Sequence, residues 1–455
     1  MLSIVPRNWL IYIGAIAIFL VIAAAAGLAL FFSPLLTHCV AGDAFRQTLE
    51  NETAKGLHFP RGRYSAIRRT GPWTAQSEGF LASDGEKAMK SIAARGITAK
   101  FNPWAVFVRR WELDEVHVQS GDVEVQIYEH KPELVLSTPW FSIFLPNRVV
   151  LKRIESEASN VTWQLRGERA GFFGTHLLVT PNGPDFEYRA DGGMLKMTLV
   201  PDLYLRRAHL LITKTLLTIY DVDLAPDGQG NGTLRGEGRA GIGEDKSVNF
   251  SASFDRLPIG AWLPSIWKGH FTGYAAGAVH WTGKNPQLES SSGEGSMRIR
   301  DAKIDNLSFL EKLAAIAQKK SLAHLQLNDC SLDWEWRYPK IDVKNIAVEE
   351  KGKFRIQGVI SIDGDSLGGS IQLGVTREYL EWLPNPEEIF TREQHGYFWT
   401  TVHLSGTVHA PQQDLSPRVV DLFKESPSAF LGLFLRELGA WLKNIFLEGR
   451  APAGP

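Results

Sequence analysis

Apolar and polar residues alternate along most of this chain, and the alternation predicts strands. In WELDEVHVQSGDVEVQIY (Trp111–Tyr128), apolar side chains fall at Val116 and Val118, then at Val123, Val125 and Ile127. Ser120-Gly121-Asp122 reads as a turn between two such strands. The same period of two returns in VNFSASF (Val248–Phe254), SMRIR (Ser296–Arg300), FRIQG (Phe354–Gly358) and SIQLGV (Ser370–Val375). Alternation of this kind fits half-buried strands with one apolar and one wet face. Turn-rich clusters at Pro181–Pro184, Ala225–Gly232, Gly283–Pro286 and Asp363–Gly369 punctuate it. The expected fold is mainly β with few helices, and long antiparallel alternation of this kind fits a sandwich, a barrel or an extended curved sheet.

The exceptions to this pattern are helical. Asp43–Leu57 places Phe45, Leu49 and Leu57 toward one face, with Gly56 as a stop. Leu307–Lys320 carries a stripe of Leu307, Leu310, Leu313, Ala314 and Ala317, and ends in lysines that suit a helix C-terminus. Ser416–Phe423 predicts a short helix with Pro417 in its first turn. A second, amphipathic helix follows from Ser428 to Phe446, rich in Phe, Leu and Trp on one side with Arg436, Glu437, Lys443 and Asn444 on the other. It suits a cap over the sheet, since sheet edges need covering; a helix lying in a membrane interface is the alternative. Residues 416–455 are therefore expected to form a helical cap and tail.

Residues 9–32 (WLIYIGAIAIFLVIAAAAGLALFF) contain no charge. As a helix they would span roughly 36 Å, against a bilayer core of about 30 Å. Trp9 and Tyr12 sit where amphipathic rings favour the interface. The expectation is an uncleaved transmembrane anchor, with residues 1–8 in the cytoplasm and residues 33–415 forming a β body outside. A cleaved signal peptide and a buried core helix are the alternatives.

Composition narrows the function classes. Charged residues make up 22% and apolar residues 44%, which fits folded protein, and the net charge of −1 offers no broad basic field for nucleic acid. The two cysteines, Cys39 and Cys330, form neither a disulfide framework nor a metal motif. The fourteen tryptophans fall mostly in strand-like segments and are expected to pack on sheet faces.

Gly236–Gly241 (GEGRAG) is a literal G-x-G-x-x-G, but the strand VNFSASF follows it where a dinucleotide site needs a helix. It reads as a glycine-rich hairpin. Asp363-Gly364-Asp365 lacks the remaining ligands of a calcium loop. His403 and His409 lie too far apart to chelate one ion without other ligands. The pairs Arg68-Arg69 and Arg109-Arg110 suit solvated strand ends, with anionic headgroup contacts as the alternative. No hydrolase, metalloprotease or P-loop motif is present, so no enzyme activity, cofactor, metal or catalytic residue is expected.

The order of these segments resembles the AsmA-like family of bacterial envelope proteins. The likeness runs through Gly96–Val125, read as a strand and short helical stretch before a β-hairpin, and then Gly293–Ala317, read as strand, turn and helix. It continues through His324–Asp363 and the closing strand His403–Gln412. It implies an elongated, curved antiparallel β-sheet forming a groove, in an inner-membrane protein whose periplasmic body binds or conducts phospholipid along that apolar β-groove, in support of outer-membrane lipid homeostasis. The implied partners are the membrane through residues 9–32, phospholipid acyl chains and other envelope proteins, without nucleic acid. Roughly 20 strands would extend about 95 Å, short of a full bridge between membranes. The candidate lipid-lining residues are Val116, Val118, Val123, Val125, Ile127, Phe250, Phe254, Ile356, Ile371 and Leu373. A non-enzymatic assembly scaffold that docks partners through its sheet edges is the alternative.

Overall fold

The computed structural model describes residues 37–418, apart from short internal stretches of which the longest are 103–109 and 126–147. The expected anchor at 9–32, Ile127, Arg109, His409 and nearly all of 416–455 lie outside the described residues. Of the expected C-terminal helices only Arg418 is described, and it is helical, as is Leu415 just before them. No helix among the described residues is long and apolar enough to cross a membrane.

The fold is mainly β and, apart from one short parallel pair, antiparallel. The chain divides into two compact units, a division that composition does not mark, with the boundary falling within the seventh and eighth strands. The first unit holds helix α1 (Asp43–Leu57) and strands β1 (Arg61–Tyr64), β2 (Ile67–Gly71), β3 (Thr74–Ser83), β4 (Met89–Phe101) and β5 (Arg110–Val125). It also holds β6 (Arg148–Leu151) and the start of β7 (Ile154–Leu165). Strand β3 pairs with β1, β2 and β4; β4 pairs with β5; β5 pairs in parallel with β6.

Helix α1 forms where the apolar pattern predicts it and runs one residue beyond Gly56. It buries Phe45, Thr48 and Ala54. Ala54 and Leu57 pack with Phe80, Ile97 and Val118, so in this unit a helix closes the apolar side of the strands. Phe45 packs with Ile67 and Ala75.

The expected turn at Ser120–Asp122 is not formed. Strand β5 runs unbroken through it, with Ser120, Gly121 and Asp122 paired to Arg95, Ala94 and Ala93. Ser-Gly-Asp is a turn composition, but continuous pairing to β4 on one side overrides it. The side chains of Ser156 and Ser159 also close over Gly121, where a Cβ would meet Ser159 Oγ at 3.3 Å.

The second unit carries β8 (Glu168–Asn182), β9 (Asp185–Asp191), β10 (Met194–Met197), β11 (Val200–Ile212), β12 (Leu216–Ala225) and β13 (Thr233–Gly241). Next come β14 (Ser247–Pro258), β15 (Phe271–Lys284), β16 (Gln287–Asp305), β17 (His324–Gln326) and β18 (Asp329–Arg337). Then follow β19 (Lys340–Glu350), β20 (Phe354–Asp363), β21 (Ser366–Val375), β22 (Arg392–Gln394), β23 (Tyr397–Gly406) and β24 (Pro411–Gln413). From β11 to β16 each strand pairs with the next. Strand β16 pairs with β18, and the ladder continues through β19, β20 and β21 to β23. Within the predicted helix over 307–320, Leu310, Glu311, Ala314 and Ala315 are helical, while Leu307 lies before the helix and the chain turns out of it at Ala317 and Gln318, short of the lysines.

Glycines inside these strands make room for aromatic rings on the neighbouring strand. A Cβ at Gly236 would lie 2.7 Å from Phe250, one at Gly277 2.8 Å from Phe254, one at Gly295 2.6 Å from Trp334 and one at Gly374 2.9 Å from Trp399. The Gly236–Gly241 motif is thus strand interior in β13, paired on both sides, and neither a nucleotide loop nor a hairpin turn. At Asp363–Gly369 the turn is confined to Gly364 and Asp365, because β21 begins at Ser366 and takes Gly368 and Gly369 into the ladder.

Candidate functional site

Residues paired directly across an antiparallel ladder project to the same face. In the second unit one such row begins with Leu210, Ile219, Gly238 and Phe250 on β11–β14. It crosses Trp281 and Gly293 on β15 and β16. Trp336, Ile341, Ile362 and Leu367 complete it on β18–β21. Ten consecutive positions across ten strands are apolar or glycine. The parallel row two residues along contains Ala252, Val279, Gly295, Trp334, Val343 and Ile360.

This face is covered unevenly. At one end, Ile259, Leu307 and Leu310 pack onto Leu257, Ala275 and Ile299. Leu380, Leu383 and Phe390 pack against Leu373 and Val375. Ile341, Ile362 and Val402 are each 1% exposed in a cluster that also gathers Trp281, Trp334 and Ile356. Toward the turns at Gly241 and Lys284 the face carries Ile219, Ala240, Val248, Phe250 and Trp281, all half-buried. Among the described residues, the segments at Ile259, at Leu307 and Leu310, and at Leu380–Phe390 share no core cluster with that end, although Trp281 also packs against the cluster that holds Val408.

Two ionisable groups on this face are pushed toward their neutral forms. Burial pushes the Tyr188 hydroxyl up, and Tyr188 pairs with Leu210. Burial, with Asp329 adding to it, pushes the Cys330 thiol up to about 12. Cys330 pairs with Val348, which pairs with Ile356.

The opposite face is polar, and a cavity lies on it. Its row reads Glu237, Ser251, His280, Glu294, Glu335 and Asp342 on successive ladder strands. A cavity of about 740 Å³ lies over this row and its neighbour, floored by the small residues Ser251, Ser253, Ala278 and Ser296. Phe250, Phe254 and Trp281 are not among its lining residues. Ion pairs and hydrogen bonds engage many of its charges: Lys344 meets Glu335 at 2.8 Å, Arg207 meets Asp221 at 2.6 Å, and Asn345 donates to Asp333 at 2.8 Å. Ser251 Oγ and His280 Nδ1 are 2.9 Å apart. No group of three or more potential metal ligands converges among the described residues.

Of the expected lining residues, Phe250, Phe254, Ile356, Ile371 and Leu373 share the apolar face of the second unit. Phe250 and Phe254 lie on one face of β14, and Ile356 pairs with Leu373 while Ile371 pairs with Val402. Val116 and Val118 belong to the first unit and pack in the core that α1 closes. Val123 and Val125 pair with Ile92 and Met89 in that same unit. Arg69 donates to Thr37 Oγ1 at 3.0 Å and to the Pro72 carbonyl at 2.9 Å. Trp281 was not among the expected residues, although it alternates with Val279 in sequence and stands beside Phe250 in the ladder.

Comparisons with family models, curated proteins and solved structures return no match to this chain.

Proposed function

We propose that the second unit binds lipid acyl chains against its apolar face, as a body held in the periplasm by an inner-membrane anchor at residues 9–32. The observation that carries this reading is the apolar row across ten strands, half-buried at Phe250 and Trp281, with no second sheet over it among the described residues. Each fully buried methylene is worth about 0.8 kcal/mol. A chain pressed against the face on one side would gain roughly half of that, so about fifteen methylenes would contribute on the order of 6 kcal/mol. That suffices for reversible binding without a polar recognition motif. The resemblance to AsmA-like proteins supplies the biological setting: phospholipid handling in support of the outer membrane.

Native mass spectrometry of residues 37–455, exported to the periplasm and purified without detergent, tests the proposal. Phospholipid should co-purify and should be lost on Phe250→Asp, while Ser251→Asp on the polar face retains it. An apo mass for the parent protein, with no uptake from added liposomes, would refute lipid binding. Equal lipid in both variants would refute the assignment to this face.

A further inference from the structure

In the first unit, the point where the chain leads back toward residues 9–32 is fixed. Thr37 and Val40 are helical. Val40 is buried and packs with Phe45, Ile67 and Ala75, with Phe101 against the same cluster. Arg69 makes a second attachment: its guanidinium donates to Thr37 Oγ1 at 3.0 Å and to the Pro72 carbonyl at 2.9 Å. Thr37 is thereby held beside the turn that joins β2 to β3, Gly71-Pro72-Trp73-Thr74. This turn presents an exposed Pro72 and Trp73, whose side of the turn is 42% exposed. The backbone beneath the ring is held, since the Trp73 carbonyl accepts the Phe101 N–H at 2.8 Å. Arg68 stands on β2 just before the turn, across from Gln76, exposed and in no ion pair among the described residues. From Ser65 to Ser77 the sequence has no acidic residue. The carboxylates nearby on β5 are already matched: Lys152 engages both Glu112 and Asp114, and Glu115 lies across the ladder from Lys100.

We infer that the β2–β3 turn is a membrane contact: Trp73 enters the headgroup layer of the bilayer that holds the anchor, and Arg68 meets anionic lipid phosphates there. The inference rests on the anchor proposed above. Phe32 ends the uncharged stretch five positions before Thr37, and five residues reach at most about 18 Å. The turn pinned to Thr37 is therefore kept close to the bilayer surface. Strand β3 runs away from it: Leu81, 63% exposed, lies seven residues beyond Thr74, or about 24 Å along the strand. A tether alone brings the turn near the membrane without seating it. Seating comes from an indole, which favours the boundary between water and hydrocarbon, and from a free guanidinium, which is drawn to an anionic surface. The Arg68-Arg69 pair thus divides its work. Arg69 fastens the turn to the start of the body, and Arg68 is left for the lipid. With anchor and turn both engaged, the first unit holds one orientation to the bilayer and does not swivel about its tether.

The test uses the full-length chain in a Cys39→Ser, Cys330→Ala background, reconstituted into vesicles of phosphatidylethanolamine and phosphatidylglycerol. An NBD fluorophore is attached through Thr70→Cys beside the turn, or through Leu81→Cys as the control. The vesicles are washed in alkaline carbonate, and quenching by a lipid with a nitroxide on its headgroup is read at each position. Quenching at position 70 should exceed that at position 81 by about twofold or more, as the interfacial preference of the indole requires. Trp73→Ser with Arg68→Gln should bring it down to the level at position 81, and Trp73→Tyr should keep it. A chain that carbonate strips from the vesicles sinks the anchor and the contact with it. A retained chain quenched equally at the two positions, or quenched at position 70 regardless of Trp73→Ser with Arg68→Gln, overturns the contact and leaves the anchor standing.

Discussion

Gly295→Ala tests whether the sheet is tiled by aromatic rings seated on glycines. Gly295 lies in β16 between Val279 and Trp334. A Cβ there would stand 2.6 Å from Trp334 Cε2 and Cζ2 and 2.7 Å from the Ala278 carbonyl oxygen. The ring has little room to retreat, because it packs within the cluster around Trp336 and Ile341. Overpacking of this kind costs about 1–3 kcal/mol, against which alanine recovers about 0.4–1 kcal/mol by restricting the unfolded chain. The net expectation is a destabilisation of about 1–2 kcal/mol. Gly368→Ala in β21 is the matched control, since a Cβ there meets no heavy atom within 4 Å. It should be neutral or stabilising by up to about 1 kcal/mol. Urea denaturation followed by tryptophan fluorescence gives both values. In a Trp334→Ala background the Gly295→Ala penalty should shrink, with a coupling on the order of 0.5–3 kcal/mol. Equal stability of the Gly295 and Gly368 variants, or no coupling to Trp334, would refute the tiling argument.

Two further outcomes follow from local geometry. Asp414 Oδ1 accepts the His403 N–H at 2.8 Å on a stretch of β23 between its short partners β22 and β24; Asp414→Ala should expose that edge and increase concentration-dependent aggregation in light scattering, and unchanged scattering counts against a capping role. Cys330, pushed from an ordinary 9.0 to about 12, stays protonated in the folded state, so its contribution to stability is complete below pH 9 and is lost as pH rises toward 12. In a Cys39→Ser background, Cys330 should alkylate with iodoacetamide much more slowly at pH 8.5 than it does in denaturant, and equal rates would show the thiol is not held in an apolar site.

The strands were legible because alternation reports which face is wet. VNFSASF, SMRIR, FRIQG and SIQLGV all fall within strands, and their apolar positions share a face. Composition misled where pairing outweighs local preference. Ser120-Gly121-Asp122 has turn residues yet pairs continuously with β4, and Gly368-Gly369 has loop residues yet pairs with Ser361 and Ile360. Period-two reading also cannot tell a face closed by its own helix from one left to a ligand. Val116 and Val118 look like Phe250 and Phe254 in sequence, but α1 packs onto the first pair and not the second. The polar cavity was illegible for a related reason: its residues lie on seven strands and meet only through register.

The placement of the capped edges bears on what kind of partner this body can take. A scaffold that recruits proteins by adding strands needs free backbone groups at an edge. In the first unit, Glu50 on α1 takes the Tyr64 N–H of the short strand β1 at 2.8 Å. In the second, Asp414 and Arg418 take the His403 N–H and the Thr401 carbonyl of β23. Three different side chains thus occupy backbone groups that strand addition would use. On the polar face, Lys344, Arg207 and Asn345 already engage Glu335, Asp221 and Asp333. The half-buried apolar end at Val248, Phe250 and Trp281 is different, because contact there requires no exchange of existing hydrogen bonds. Burial of apolar surface is non-directional, so a face that works this way needs the right residues on one side of many strands and no fixed polar signature. That accounts for a chain whose chemistry-bearing motifs all dissolve into strand and turn while its alternation persists across the second unit.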